Sequence, residues 1–379
     1  MRIAAEWIAR PETQAVCAAL TGAGHRALFV GGCVRNALLY APVSDVDIAT
    51  DARPERVMEL ALAAGLKPVP TGIAHGTVTV IASGLPYEVT TFRRDVATDG
   101  RHAEVAFSED LAEDAARRDF TMNALYATPE GAVIDPLGYL ADLEARHLRF
   151  VGQAEARIAE DYLRILRFFR FHAWYADPAE GFDPEALAAC AAGAEGIERL
   201  SRERIGAEMR KLLSAPDPVA AVAVMAQAGI LARVLPGSDA KALPILLHLE
   251  GDLPADWQRR LAALGGMDVA NHLRLSRDEA RRQSLIREEI CGGGATELGY
   301  RHGVALARDI LLVRGALLET ELPPGWSAQV EASAAAQFPV SARDLMPAYS
   351  GPAQGRKLAE LEARWIASGF TLGREDLLA

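Results

Sequence analysis

Two aspartates one residue apart, in Ser44-Asp45-Val46-Asp47-Ile48-Ala49-Thr50, are the first side chains in this chain that point to chemistry. In a strand, positions i and i+2 share a face. The pair would then present adjacent carboxylates while Val46 and Ile48 enter the core. Two acids held together repel, and a divalent cation removes that repulsion. The other reading is an acidic surface turn. A third acid, Glu88, sits in the strand-like Pro86-Tyr87-Glu88-Val89-Thr90-Thr91-Phe92. An unpaired carboxylate there is costly unless it faces water from an edge.

Phosphate chemistry is indicated by a second group of residues. Phe29-Val30-Gly31-Gly32-Cys33-Val34-Arg35-Asn36 reads as a strand entering a glycine turn and then a helix. Without side chains at 31 and 32, a phosphate can approach the backbone and the helix N-terminus. Arg35 would add a charge-assisted contact, although a glycine pair also makes an ordinary turn. In Arg117-Arg118-Asp119-Phe120-Thr121-Met122-Asn123, Arg118 suits a triphosphate, with Asp119 or Asn123 orienting it. The plain alternative is a capped helix start with solvated arginines.

A third group suits base recognition. Glu160-Asp161-Tyr162-Leu163-Arg164 continues through Arg167 and Arg170. On one helix Asp161 and Arg164 are i,i+3 neighbours, and the later arginines extend the row. A salt-bridged helix face explains this pattern by default. A carboxylate accepting from an exocyclic amine, beside a guanidinium donating to a ring nitrogen, would take cytosine and adenine and reject uracil and guanine.

The elements that must position these groups fall into two regimes. Up to about residue 140, short β-branched runs (ALFVGG, SDVDIAT, GTVTVIA, PYEVTTF) alternate with helical stretches. Pro54 and Gly65 bracket one helix. From about residue 155 the chain reads as almost purely helical. The opening MRIAAEWIARPETQAV reads as one amphipathic helix rather than a signal peptide, because Glu6 and Arg10 interrupt its apolar residues. With 379 residues, half of them hydrophobic and 24% charged, the chain is globular and of several units. No run approaches the roughly 18 apolar residues that span a bilayer. Cys17, Cys33, Cys190 and Cys291 lack metal-ligand spacing and suit a reducing cytoplasm. A net charge of −11 argues against a polyanionic partner unless cations cluster locally.

Taken together and in this order, Gly31-Gly32-Cys33-Val34-Arg35, Asp45-Val46-Asp47, Arg117-Arg118-Asp119-Phe120-Thr121-Met122-Asn123-Ala124 and Glu160-Asp161-Tyr162-Leu163-Arg164 resemble the motif set of the class II tRNA nucleotidyltransferase/poly(A) polymerase superfamily. The likeness is to its CCA-adding enzymes. It implies an α+β chain: a small N-terminal nucleotidyltransferase head with a β-sheet at 1–140, then an elongated all-helical neck at 141–214, body at 215–335 and tail at 336–379. It implies Mg²⁺ at Asp45 and Asp47 with Glu88 completing the catalytic set. Nucleotide contacts fall to Gly32, Arg35, Arg118, Asp161, Arg164, Arg167 and Arg170. Substrates would be CTP, ATP and the tRNA acceptor end, with no membrane partner. One departure is Asn36, where the family's motif usually ends in aspartate. Poly(A) polymerase, a CC-only or A-only enzyme, and a non-catalytic RNA-binding protein on a retired transferase head are the alternatives. Thr71-Gly72-Ile73-Ala74-His75-Gly76-Thr77-Val78 matches the form associated with the CCA-adding enzymes, and intact Asp45, Asp47 and Glu88 speak against loss of catalysis.

Overall fold

The computed structural model describes residues 1–98 and 103–379. Two compact units emerge: 1–208 with 227–233, and 209–226 with 234–379. The class is α+β, as expected.

In the first unit the strands are β1 (Leu28–Val30), β2 (Asp47–Thr50), β3 (Lys67–Gly72), β4 (Thr77–Ala82), β5 (Leu85–Thr91), β6 (Arg93–Thr98), β7 (Ala103–Phe107), β8 (Tyr126–Ala127) and β9 (Val133–Ile134). Seven form one sheet in the order β3-β4-β5-β2-β1-β8-β9, and β6 and β7 form a separate pair. Alternation explains β4, where Val78, Val80 and Ala82 are buried while the intervening residues are half-exposed. In β5, Tyr87, Val89 and Thr91 turn inward and Glu88 turns outward. Central β2 is different: Ile48, Ala49 and Thr50 are all buried, as befits a strand covered on both faces.

The helices of this region are α1 (Glu6–Ala9), α2 (Pro11–Thr21), α3 (Gly32–Leu38), α4 (Pro54–Ala63), α5 (Leu111–Ala116), α6 (Leu140–Glu144), α7 (Ala154–Glu160), α8 (Leu163–Tyr175), α9 (Pro184–Ala192) and α10 (Arg202–Leu213). The single N-terminal helix read from the sequence is divided. Pro11 disfavours helical geometry at the residue before it, and Arg10 is extended with φ −60° and ψ 134°. The Thr13 hydroxyl then ties the two pieces, donating to the Trp7 carbonyl at 2.7 Å and meeting the Tyr87 hydroxyl at 3.0 Å. The helix expected from Pro54 is present, and Gly65 follows its end with φ +73°.

The second unit is helical around two apolar cores. One gathers Leu246, Leu298, Ile310 and Leu312; the other gathers Leu345, Leu361 and Trp365. The first core lies beside a buried ion network. The Arg259 guanidinium donates to Glu250 at 2.8 Å and to Asp309 at 3.0 Å. Arg260 donates to Glu250 at 2.8 Å and to the Leu213 carbonyl at 2.9 Å. Arg282 donates to Asp256 at 2.8 Å and to Asp309. The arginines at 259, 260 and 282 are therefore a structural lattice rather than a basic surface.

Removing one member of such a network leaves a desolvated charge behind. Asp309→Ala is expected to cost about 3–5 kcal/mol, read as a fall in the urea midpoint of the helical unit. Glu360→Gln, which breaks the pair of exposed Glu360 with half-buried Lys357, should cost less than about 1 kcal/mol. Equal losses from both substitutions would contradict the network's role.

Candidate active site

Gly31 closes β1 with φ +70° and ψ −124°, a conformation that only glycine adopts readily. A Cβ there would lie 3.6 Å from Arg118 Nη1, and one at Gly32 would lie 3.7 Å from Arg35 Nη2. Two motifs far apart in sequence thus place a guanidinium over each glycine of the turn. Arg35 is buried among neutral acceptors: Asn123 Oδ1 at 2.5 Å, Asn36 Oδ1 at 2.8 Å and the Tyr175 hydroxyl at 2.9 Å. Burial and the nearby charges of Arg170 and Arg167 pull its pKa down.

A single ring gathers the other cations. The guanidinium of Arg35 lies 5.0 Å from the Phe171 centroid, that of Arg167 5.4 Å and that of Arg170 4.4 Å. Each of the latter two has its own acid. Arg167 Nε donates to Asp119 at 2.7 Å, and Arg170 Nε donates to Glu208 at 2.6 Å. Burial pushes the Asp119 carboxyl up, but the Arg167 charge and hydrogen bonds from Asn123 and the Phe120 N–H overcome it. The result is a pKa of about 2. Arg118 donates to Asp114 at 2.9 Å and to the Tyr126 hydroxyl at 3.3 Å. The sequence expectation that Asp119 or Asn123 orients Arg118 is corrected: Asp114 does so, Asp119 holds Arg167, and Asn123 holds Arg35. Nor does residue 117 begin a helix, because α5 ends at Ala116 and a short 3₁₀ turn, Thr121–Asn123, follows.

The acids stand on β2, just before it, and on β5. Parallel pairing of β2 with β5 sets Asp47 opposite Glu88. Only Asp47 of the aspartate pair lies on the strand, because Ser44, Asp45 and Val46 precede it without regular structure. Asp45 accepts from the Ser44 hydroxyl at 2.9 Å. Burial raises the Asp47 pKa to about 6, with Glu88 and Asp45 adding to the rise and Arg118 opposing it. Among the described residues no three His, Cys, Asp or Glu side chains come together so that they could hold a metal ion, Asp45, Asp47 and Glu88 included. An open site still fits a hard cation, since Mg²⁺ is usually held by one or two carboxylates together with substrate phosphates. Asp47 and Glu88, paired in register across β2 and β5, are such an all-oxygen donor pair.

The expected Asp161–Arg164 side-chain pair is not formed. α7 ends at Glu160 and α8 begins at Leu163, so Asp161 lies between two helices rather than on one. Its carboxylate accepts from the Leu163 N–H at 3.1 Å and from Arg204 at 2.6 Å. Arg164 instead donates to Glu160 and to the Arg157 carbonyl at 2.8 Å. Arg164, Arg167 and Arg170 do share α8.

Comparison with known proteins gives the family. Residues 27–149 match the poly(A) polymerase head domain, and residues 181–241 match the probable RNA and SrmB-binding site of polymerase A. The mitochondrial CCA tRNA nucleotidyltransferase 1 of Mus musculus is 32% identical over 94% of this chain and 86% of its own length. The chain belongs to the CCA-adding tRNA nucleotidyltransferases. The CCA-adding enzyme of Streptococcus gordonii is 39% identical over 77% of this chain and 74% of its own. A crystal structure of the Bacillus stearothermophilus CCA-adding enzyme in complex with CTP superimposes with a TM-score of 0.71 at 29% identity, covering 95% of this chain and 94% of that one. Nucleotidyltransferases of this superfamily use a divalent metal.

Reading the motifs of this CCA-adding chain left out Asp114, Tyr126, Phe171, Tyr175, Arg204 and Glu208. Asp114 had a local signal, four residues before Arg118 on a helical stretch. Glu208 is 38 residues from Arg170 and Tyr175 is 140 from Arg35, so nothing local announced either contact.

An acid whose folded pKa is raised stabilises the fold only at low pH. That contribution is lost as pH climbs from the usual carboxylate value through about 6. Asp47→Asn removes the charge, so in EDTA it should raise the thermal midpoint at pH 8, with the gain shrinking towards pH 5. Adding a divalent metal should raise the midpoint of the wild type and not of the variant. A lower midpoint for Asp47→Asn at pH 8 would contradict the electrostatic assignment.

Proposed function

We propose that this site transfers CMP and AMP from CTP and ATP to the 3′ end of tRNA and releases pyrophosphate, with Asp45, Asp47 and Glu88 holding Mg²⁺. The observation that carries the reading is the arginine cluster around Phe171, which meets the glycine turn beside an uncompensated carboxylate group. Such a layout suits a triphosphate on one side and a hydroxyl nucleophile on the other.

Mg²⁺, when bound, supplies the Lewis acid that favours the 3′-alkoxide and the leaving pyrophosphate. The protein's own work is electrostatic and positional. Arg118 and Arg35, over the two glycines, bring positive charge to phosphates seated at the turn, and Arg167 and Arg170 neutralise the rest. Asp114, Asp119 and Glu208 keep three of these guanidinium groups oriented before substrate arrives, which lowers the reorganisation that binding requires. Gly32 leaves room for a phosphate oxygen against the backbone.

Base choice falls to Asp161 and Arg164. Asp161 accepts from the exocyclic amine of C or A, and Arg164 donates to the ring nitrogen. Each exchanges a protein partner for the base, Arg204 in one case and Glu160 in the other. No template strand is required for this readout. The chain divides for this purpose into head (1–140), neck (141–214), body (215–335) and tail (336–379), with RNA bound by the body. Four free thiols suit the cytoplasm, and among the described residues no helix is long and apolar enough to cross a membrane.

The deciding experiment incubates tRNA lacking its 3′ end with each nucleoside triphosphate alone and with CTP and ATP together. Addition of C, C and A, and no more, is the expected product. A ladder of adenylates would make the enzyme a poly(A) polymerase, and a two-nucleotide or one-nucleotide product a partial enzyme.

Base reading has its own test. Asp161→Ala should lower discrimination against UTP by about one to two powers of ten, the equivalent of about 1–3 kcal/mol for an unpaired polar group. The measurement compares kcat/KM for CTP, ATP and UTP. Unchanged ratios would reduce Asp161 to an ion-pair partner of Arg204.

A further inference from the structure

Both ends of the Asn36 carboxamide are in use. Its Oδ1 accepts from Arg35 Nε at 3.1 Å and Nη2 at 2.8 Å, while its Nδ2 donates to the Pro42 carbonyl at 2.7 Å. A guanidinium only donates and a carbonyl only accepts, so the amide has one possible orientation. Aspartate has the same shape but offers oxygens alone.

The Pro42 contact lies at a weak point of the chain. Behind α3 the backbone closes through Tyr40, which takes φ +56°, a sparsely populated conformation for a residue with a side chain. Ala41 N–H returns to the Asn36 carbonyl at 2.8 Å. Residue 36 therefore ties down both Ala41, through its backbone, and Pro42, through its side chain. From Val43 to Val46 there is no regular structure, and among the described residues Asp45 has only the Ser44 hydroxyl as a hydrogen-bond partner. The next fixed point is Asp47 in β2. Asp45 is thus carried by a short span anchored at Pro42 on one side and at the sheet on the other.

We infer that Asn36 is a positioning residue: its amide N–H holds Pro42, and through it the Asp45 segment, at the metal end of the site. The same side chain leaves Arg35 its charge, because every hydrogen-bond acceptor of Arg35 here is neutral. An aspartate at 36 would keep the Arg35 contact, cancel that charge and press a carboxylate against the Pro42 oxygen. This inference rests on Asp45 being a metal ligand.

The test titrates Mn²⁺ by electron paramagnetic resonance, without nucleotide or tRNA, into wild type, Asn36→Asp, Asn36→Ala and Asp45→Ala. Both substitutions at 36 remove the donor to Pro42, and the alanine variant adds no charge. Each is expected to weaken Mn²⁺ binding about threefold to tenfold, the scale of one lost hydrogen bond, with KM for tRNA unchanged. Asp45→Ala should weaken binding more. Wild-type Mn²⁺ affinity in both residue-36 variants, alongside a defective Asp45→Ala, would overturn the positioning role and leave the metal reading intact. Wild-type affinity in Asp45→Ala would remove the metal reading itself, and the inference with it.

Discussion

Crowding of positive charge around one phenyl ring is the constraint that organises the first unit. Phe171 is buried, and three guanidinium groups lie within 5.4 Å of its centroid. Cation–π attraction favours each contact singly, but like charges withdrawn from water repel. The fold answers with counter-groups: Asp119 for Arg167, Glu208 for Arg170 and, at the glycine turn, Asp114 for Arg118. These acids come from α5, from the segment after it and from α10, so the head strands and the following helices must come together for the cluster to exist. Arg35 has only amide and hydroxyl oxygens. Its charge is therefore not cancelled by a hydrogen-bonded acid, which leaves a local cation for phosphate in a chain of overall charge −11.

The acidic side obeys the opposite constraint. Like charges directly across a strand pair are destabilising, yet β2 and β5 set Asp47 against Glu88 in register. Slipping the register by one residue would relieve the repulsion and turn every core side chain of β5 outward. Ile48, Val89 and Val78, all fully buried, hold the sheet against that slip. Apolar packing thus maintains an electrostatic strain that a bound cation would release; burial first, and Glu88 and Asp45 after it, raise the Asp47 pKa. Arg118 joins the two sides, because it sits over Gly31 while its charge is felt at Asp47.

Legibility of the sequence followed the range of the interactions involved. Strand alternation in Thr77–Ala82 and the glycine turn before Cys33 depend on neighbouring residues, and both were readable. The acids proposed to hold metal were readable as residue types, but their placement was only half so: Asp45 lies in the irregular stretch before the strand. Pairings across the chain were not readable. Asp161 and Arg164 are compatible neighbours on any helix, yet the break at Asp161 and Tyr162 separates them, and Arg204 and Glu160 take their places. Helical periodicity cannot register a break that tertiary partners stabilise. The ion network of arginines 259, 260 and 282 was likewise not readable, because charge in sequence carries no information about burial.

Those same ion pairs bear on how recognition must work in a chain that folds before it meets nucleotide. A largely buried guanidinium without a partner is too costly to keep in readiness, so Arg164 rests on Glu160, while half-exposed Asp161 rests on Arg204. If they read a base, they do so by exchange. Bonds given up to Arg204 and Glu160 offset those gained from the base, and little net affinity results from the correct choice. A wrong base repays nothing, because its donor–acceptor order opposes both groups at once. On the proposed reading, affinity then comes from the triphosphate, which Arg35, Arg118, Arg167 and Arg170 would hold and which is common to every nucleotide. Discrimination comes from the exchange, which is not. Separating the two is what lets one rigid arginine cluster serve two different bases.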